Sequence, residues 1–416
     1  MRPVPSRQAG AVQRAELPGS NSRRMLLRNH GARDLRVVEL AQMKTNSWPA
    51  QLIAGLLTTL TPLVPLRAAT LLVCPSNCPY TKIQDAVEAA ASGDVIRIAA
   101  GHYGENVKIA GKTLKLVGAP GRADGITEVD GGGHGPVFTL GSGADEAYQL
   151  IELQHLTITH GGHESGSGMG GGVQVRRGAY LHLSQSTVTQ NTARFGGGIS
   201  VNTPGGPAST VTHCLIDDNQ AVVEDFLNGS DGQGGGIEVA QDSIVTIEHS
   251  TIVRNQALNG GGLHSDTGSH LTVDSTTFTE NQVAQVHVHR AFVGGVGGGL
   301  AVNSNVTITN STIADNAASG PEGGLGGGLF ILLGGQESIA TTIIAHNVAG
   351  GGNGGGIFSA AASNTEVLTL DYVYIVENQA AADAPGGVAN EGTLVLRHTT
   401  IKDNAGINCS GGIGCP

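Results

Sequence analysis

A chain of 416 residues that contains 65 glycines, with 3% aromatic and 14% charged residues, does not have the composition of an ordinary globular domain. With so few large side chains it needs internal repetition to build a core. The first 42 residues hold eight of the 23 basic residues but three of the 34 acidic ones, which leaves 15 basic against 31 acidic residues in the remainder. This acidic balance excludes nucleic acid, or an anionic polysaccharide, held by broad electrostatic attraction.

The segments before residue 70 differ from the rest of the chain. Residues 1–42 are rich in arginine and lack a hydrophobic period, which predicts disorder. Residues 43–69 resemble a secretory signal peptide, with a positive, an apolar and a small-residue region in that order. The apolar region is about 13 residues long, too short to span a bilayer, and the alternative is a buried helix. We expect Met43 to be the functional start, residues 1–42 to lie outside the true protein, and the product to be secreted without a membrane-spanning segment.

The cysteines agree with export to an oxidising compartment. Cys74 and Cys78 stand near the start of the predicted mature chain, Cys409 and Cys415 near its end, and Cys214 lies alone between them. This placement predicts two short terminal disulfides and one buried thiol. A zinc site would require the two chain ends to meet, which an elongated repeat protein prevents.

The domain predicted for residues 70–416 opens with a short helix. Ile83, Ala86, Val87 and Ala90 share one helical face. A helix with such a face can cover the open end of a repeat stack, whose first coil would otherwise expose apolar side chains.

Eight repeats follow, each aligned on an asparagine. An aliphatic residue or phenylalanine stands three positions before each asparagine, a small residue usually stands five before, and an aliphatic residue stands eight before. Within each short run the period is two, which predicts β-strands. A further strand opens with a glycine triplet and Ile or Leu. The spacings of 28, 36, 26, 35, 31, 31 and 26 residues, with no helical pattern between the strands, predict a parallel β-helix with three strands per coil. The asparagines are Asn191, Asn219, Asn255, Asn281, Asn316, Asn347, Asn378 and Asn404.

The glycine triplets and the asparagines are both interpreted as corners of the coil. Glycine alone adopts positive φ and permits close backbone approach without a Cβ clash. Asparagine tolerates the left-handed conformation, and stacked asparagines can bond from coil to coil, so a structural ladder is favoured over a catalytic role. Histidines near these corners are predicted to be exposed turn residues and not metal ligands: His155, His160, His163, His213, His249 and His398.

Two sequence patterns resemble known families. The pairing of [FVI]-x-x-N with GG-[GA]-[IVL], as at 278–281 and 297–300, resembles the repeat of chlamydial polymorphic outer-membrane proteins and of bacterial right-handed parallel β-helix repeat proteins, over about residues 156–404. Residues 80–119, with the helix, then G-D-x-I and G-x-Y-x-E, are similar to the opening of pectate-lyase-like proteins. The resemblance implies an all-β, right-handed parallel β-helix of the pectin-lyase-like fold with a short N-terminal capping helix, and it does not specify an activity.

Catalytic machinery is not evident in the repeats. Many proteins of this fold cleave uronic polysaccharides, which takes an Arg or Lys base and often Ca²⁺ held by clustered acids, yet Lys402 is the only lysine after Lys115. A glycoside hydrolase needs two carboxylates about 5 to 10 Å apart, and no motif pairs them. A calcium-binding β-roll needs Asp where the chain continues with glycine after Gly297. No catalytic residue, cofactor or metal is therefore assigned.

Strand parity predicts where a ligand would lie. If the Ile or Leu after each triplet points inward, the next residue points outward. The first outward column is Ser200, Glu238, His264, Ala301, Phe330 and Phe358, and the second, two residues further on, is Asn202, Ala240, Asp266, Asn303, Leu332 and Ala360. Coils are about 4.8 Å apart, so Glu238, His264 and Asp266 become neighbours. Phe330 and Phe358 could then stack against sugar rings.

Loop lengths suggest walls around this face. The path from asparagine to triplet is long after Asn219 and Asn281 but short after Asn255, which would put the coil of His264 and Asp266 in a notch. The walls would carry Glu224 and Asp225 on one side and His287, His289 and Arg290 on the other. The alternative is a solvated polar column beside two glycine-rich loops.

Together these patterns predict a secreted β-helix that binds an extended glycan or another cell-surface polymer, as an adhesin-like or structural protein. The alternative is a polysaccharide-degrading enzyme of the same fold, either a lyase or a glycoside hydrolase. The sequence does not indicate which polymer is bound or the oligomeric state.

Overall fold

The computed structural model describes residues 68–121, 125–162, 168–223, 232–284, 286–288, 291–293, 295–303, 305–320, 323–332, 334, 337–361, 367–412 and 414–415. All of them belong to the second of two units, 66–416. Residues 43–67 of the proposed signal peptide 43–69, and the Arg-rich residues 1–42, lie outside the described residues. No helix of the described part is long and apolar enough to cross a membrane.

The described chain winds through stacked parallel sheets, which we number in the order each coil visits them. Sheet I holds the strands after the glycine triplets and their equivalents: Val107–Ile109, Phe138–Leu140, Val173–Val175, Ile199–Val201, Ile237–Val239, Leu263–Ser265, Leu300–Val302, Leu329–Leu332, Ile357–Ala360, Pro385–Asn390 and Ile407–Ser410. Sheet II holds Thr70–Val73, Val95–Ile98, Leu114–Val117, Gln149–Gln154, Ala179–Ser184, Ser209–Thr212, Ile244–Glu248, His270–Asp274, Asn305–Thr309, Glu337–Ala340, Val367–Asp371 and Thr393–Arg397.

Sheet III holds the strands before the asparagines and their equivalents: Gly101–Gly104, Thr127–Asp130, Thr157–Thr159, Thr187–Thr189, Leu215–Asp217, Thr251–Val253, Thr277–Thr279, Thr312–Ala314, Ile343–Ala345, Tyr374–Val376 and Thr400–Lys402. Sheet IV follows the asparagines: Thr192–Ala193, Gln220–Ala221, Gln256–Ala257, Gln282–Ala284, Ala317–Ser319 and Val348–Gly350. Two further strands, Val286–Val288 and Ala291–Val293, pair antiparallel in the excursion after Asn281.

Sheet IV is a fourth strand per coil that the sequence did not predict. Its strands have two or three residues, too few to show an alternating pattern. They form because each asparagine holds the next residues at the same height as those of the neighbouring coil, as in the pairing of Gln220 with Gln256.

The asparagine ladder is confirmed. The backbone N–H and Nδ2 of each asparagine donate to Oδ1 of the asparagine in the next coil at 2.9–3.1 Å, from Asn191 through Asn378. The left-handed residue, however, is the one before each asparagine, such as Glu280 at φ 55°. The turn at that residue leaves the asparagine side chain free to point along the stack.

A second ladder supports the corner between sheets II and III. The N–H of Ser250 donates to Oγ1 of Thr276 at 3.3 Å, and that of Thr276 donates to Oγ of Ser311 at 3.2 Å. Cys214 takes one place in this column and is a buried free thiol. Five of the predicted turn histidines have positive φ: His155, His160, His213, His249 and His398. All of these are exposed except His155, which is half-buried. His163 lies outside the described residues.

The predicted capping helix spans Ile83–Ala89 and buries its apolar face. Glu105, from the G-x-Y-x-E motif, accepts hydrogen bonds from the N–H groups of Ile83 and Gln84 at 2.8 and 3.0 Å and so satisfies the helix N-terminus. At the other end Lys112 Nζ donates to the carbonyl of Ala90 at 2.9 Å. The motif thus has a structural role: it fastens the cap to the first coils.

Disulfides join Cys74 to Cys78 and Cys409 to Cys415, one near each end of the described β-helix.

Candidate functional site

The first outward column of sheet I lies in register but is sheltered from solvent. Ser200 pairs with Glu238, Glu238 with His264, and His264 with Ala301. The exposed fractions of Glu238 and His264 are 2% and 3%. Parity placed these residues on the outer side correctly, but the expectation of a solvent-facing column does not hold for them.

The glycine triplets explain this burial. The first glycine turns at φ +63° in Gly196, and a Cβ there would lie 2.2 Å from the carbonyl oxygen of Ile199 and 3.0 Å from Cα of Ser200. The residues before the triplets form a continuous parallel ladder of their own. One of them, Met169, places its sulfur 3.7 Å from Nδ2 of the outward residue Asn202 in the next coil. The chain therefore folds back over the outer side of sheet I.

The centre of the column is a buried cluster, which we define as Glu238, His264, Asp266 and Asn303. Oε2 of Glu238 lies 2.9 Å from Nδ1 of His264, and Nδ2 of Asn303 lies 3.3 Å from Nε2 of the same ring. Asp266 is half-buried and follows Ser265, the partner of Val239 in the ladder.

The electrostatics of the pair favour a bound proton. Burial raises the pKa of the Glu238 carboxyl, and the Asp266 charge adds to this while His264 opposes it. Burial disfavours the protonated form of His264, but the charge and hydrogen bond of Glu238, with the charge of Asp266, outweigh it and raise the pKa of His264. The two groups titrate as one coupled unit. At 2% and 3% exposure they cannot contact a polymer chain in this conformation.

The aromatic pair further along the column is already stacked. The rings of Phe330 and Phe358 have centroids 5.7 Å apart and an angle of 6° between their planes. Phe358 is 8% exposed and Phe330 is half-buried, so little of the Phe358 ring is available to stack against a sugar.

A groove does lie on the coil of Asn255, but sheet IV forms its floor. It has a volume of about 400 Å³ and is lined by Gln220, Gln256 and Gln282 with Val223 and Leu258 among others; we call it the glutamine groove. The long excursions begin after Gln220–Ala221 and Gln282–Ala284, which are strands of sheet IV.

The predicted walls cannot be placed. Glu224, Asp225, His289, Arg290 and the side chain of His287 lie outside the described residues.

Two groups of residues were missed from the sequence. The glutamines recur as N-Q-A or N-Q-V after Asn219, Asn255 and Asn281, a repeat that alignment on asparagine could have revealed.

The other missed group lies on the outer face of sheet III. Nδ1 of His102 is 3.0 Å from Oε1 of Glu128, and Nδ1 of His160 is 3.0 Å from Oδ2 of Asp130. Burial tends to raise the pKa of Asp130, but the hydrogen bonds from Gly132 and His160 outweigh it, so that pKa is lowered. The side chains of His102 and His160 are 61% and 51% exposed, so these ion pairs contribute little to stability.

The sequence matches the family model described as "Right handed beta helix region" over residues 139–289 and 235–414. The chain belongs to this family. The match confirms the right-handed parallel β-helix that the repeats predicted. No curated protein matches the sequence significantly.

Solved structures similar to this β-helix protein include enzymes that act on pectin. "Crystal structure of pectate lyase Pel9A" is 14% identical with a TM-score of 0.39 and covers 80% of this chain and 78% of its own. "Pectin methylesterase PemA from Erwinia chrysanthemi" is 12% identical with a TM-score of 0.32 and covers 70% and 89%. "Geobacillus virus E2 - ORF18" is 11% identical with a TM-score of 0.34 and covers 76% and 56%. No activity is transferred from these structures to this β-helix.

Proposed function

We propose that this protein is a secreted β-helix that binds an extended neutral glycan in the glutamine groove. The groove itself is the supporting observation: its volume of about 400 Å³ falls within the usual range for ligand sites of about 300–1,000 Å³. The export pattern at 43–69 and the disulfides near both ends of the β-helix support secretion.

The chemistry of the groove favours hydroxyl-rich, uncharged ligands. Gln220, Gln256 and Gln282 are exposed and stand in register, so their amides repeat at the strand spacing of about 4.8 Å. Each amide offers two donors and an acceptor to sugar hydroxyls. Val222 and Val223, both half-buried, add apolar surface for ring faces. The described lining carries no charge, and the chain has a net charge of −11, so a polyanion such as pectate is disfavoured.

Binding is tested by calorimetry against soluble neutral glucans, xylans and galactans, with polygalacturonate for comparison. The double variant Gln220→Ala/Gln256→Ala loses two hydrogen-bonding groups worth about 0.5–1.5 kcal/mol each, so Kd is expected to rise about tenfold. Gln379→Ala is the matched control, since Gln379 is also exposed directly after a ladder asparagine but does not line the groove.

The proposal fails if no neutral glycan binds, or if Gln379→Ala weakens binding as much as the double variant. Release of shorter products from any of these polymers by the wild-type protein would instead identify the polysaccharide-degrading alternative.

A further inference from the structure

The buried cluster has a composition that the fold does not require. The outward position of sheet I is filled by Ser200 one coil before Glu238 and by Ala301 one coil after His264. Burying an ionisable pair gives no stability advantage over well-packed apolar side chains and often costs several kcal/mol. Because Ala301 is 1% exposed at the same position, an apolar residue fits there. Glu238 and His264 are therefore better explained by a ligand than by stability.

The donor atoms of three side chains lie close together. Ligand atoms of Glu238, His264 and Asp266 all lie within 4.8 Å of one another. Two ligands of one tetrahedral ion, each with a bond of about 2.0–2.2 Å, are about 3.3–3.6 Å apart. A small adjustment of the half-buried Asp266 side chain brings all three donors to one ion, and the partial exposure of Asp266 gives the ion a path from solvent.

Two neighbouring side chains also point to a missing ligand. Ser200 is fully buried on the same outward side, directly beside Glu238 in the ladder, and its Oγ has no hydrogen-bond partner among the described residues. Such orphaned hydroxyls are rare, and an ion at Glu238 would bring a water or a reoriented carboxylate within its reach. The amide of Asn303 lies against Nε2 of His264. If this amide is flipped, Oδ1 of Asn303 accepts a hydrogen bond from the Nε2–H of His264. Nδ1 of His264 is then unprotonated and free to bind an ion.

We propose that Glu238, His264 and Asp266 bind one divalent transition-metal ion such as Zn²⁺. Imidazole nitrogen with carboxylate oxygen suits zinc and its neighbours, whereas Ca²⁺ and Mg²⁺ select oxygen ligands alone and Ca²⁺ needs six or more. The ion joins two consecutive coils, those of Glu238 and His264. This site is independent of glycan binding.

The test uses the full chain, stripped with a chelator and dialysed against Zn²⁺, Co²⁺ or Ca²⁺. The wild-type protein is expected to retain one equivalent of Zn²⁺, to give a Co²⁺ absorption band in the visible, and to unfold at a higher temperature with Zn²⁺ because the ion binds the folded state alone. His264→Ala abolishes all three effects, and Asp266→Asn weakens binding by at least about tenfold, the minimum typical even of supporting residues.

His102→Ala is the matched control because it dismantles the exposed cluster of His102, Glu128 and Asp130, the other group able to hold an ion in the described part. Retained binding in His102→Ala with loss in Asp266→Asn supports the site, even if His264→Ala does not fold. Absence of Zn²⁺ binding by the wild type, unchanged affinity in Asp266→Asn, or loss of binding in His102→Ala overturns it. Tighter binding of Ca²⁺ than of Zn²⁺ also overturns it.

Discussion

Replacing Asn281 by alanine tests the asparagine ladder at its centre. Oδ1 of Asn281 accepts from N and Nδ2 of Asn255, both at 3.0 Å, and its Nδ2 donates to the carbonyl of Ile252 at 2.9 Å and to Oδ1 of Asn316 at 3.0 Å. Nδ2 of Asn255 keeps two other acceptors, the carbonyls of Ile216 and Val253. The buried N–H of Asn255 is left without its acceptor.

An orphaned buried donor costs about 1–3 kcal/mol, and each of the other three lost bonds contributes about 1 kcal/mol. Asn281→Ala is therefore expected to lower the free energy of unfolding by about 5 kcal/mol, a large share of the usual 5–15 kcal/mol. Guanidinium unfolding followed by circular dichroism measures the change. Asn202→Ala is the control: Asn202 is half-buried outside the ladder, and its side chain makes one weak contact among the described residues, with the Met169 sulfur, so its loss should change the free energy by about 1 kcal/mol or less. Equal effects of the two substitutions would refute the ladder's role.

Three further predictions concern other positions. A Cβ on Gly261 would lie 2.4 Å from the Gly298 carbonyl oxygen, so Gly261→Ala should lower the free energy of unfolding by about 3 kcal/mol, whereas Gly104→Ala, with open space at its Cβ, should not change it. Burial raises the pKa of Cys214 to about 12; native protein at about pH 8 should therefore resist iodoacetamide until it unfolds, and rapid native labelling would contradict this. Hydrogen bonds from Thr309, Asn310 and Ser275 lower the pKa of the Asp274 carboxyl in the folded protein. The ionised carboxylate therefore stabilises the folded state above the unfolded pKa, and this stabilisation is lost on acidification below about pH 4. Asp274→Asn should flatten that loss of stability in acid-unfolding curves.

The repeat architecture could be predicted because it depends on short-range sequence patterns. Period-two alternation identified the strands of sheets I, II and III, and recurrence at a fixed residue identified the asparagine ladder. Sheet IV could not be predicted, since two residues such as Gln256 and Ala257 carry no period. The left-handed conformation was assigned one residue too late, because asparagine adopts it more readily than glutamate, yet in the structure Glu280 adopts it and Asn281 does not.

For the candidate site, the sequence predicted which residues are neighbours but not whether they are exposed. Parity states which side of a strand a residue faces, so Glu238 and His264 were correctly made neighbours. Parity does not state whether that side is covered. The cover comes from the residues before each triplet, among them Asn259, whose position depends on the turn at Gly260 and on pairing with other coils.

This cover separates the two proposed sites, the glutamine groove and the buried cluster. His264 is eight positions after Gln256, yet Gln256 is exposed in the groove and His264 is 3% exposed. The glycine turn between them is the cause, because it folds the chain back over sheet I and leaves sheet IV open. The covered outer side of sheet I suits a ligand that is desolvated and held by a few strong donors. The exposed face of sheet IV suits a hydroxyl-rich polymer that exchanges many weak hydrogen bonds with water. Under the two proposals, the buried carboxylate and imidazole of Glu238 and His264 hold an ion, and the exposed amides of the groove glutamines bind sugar hydroxyls.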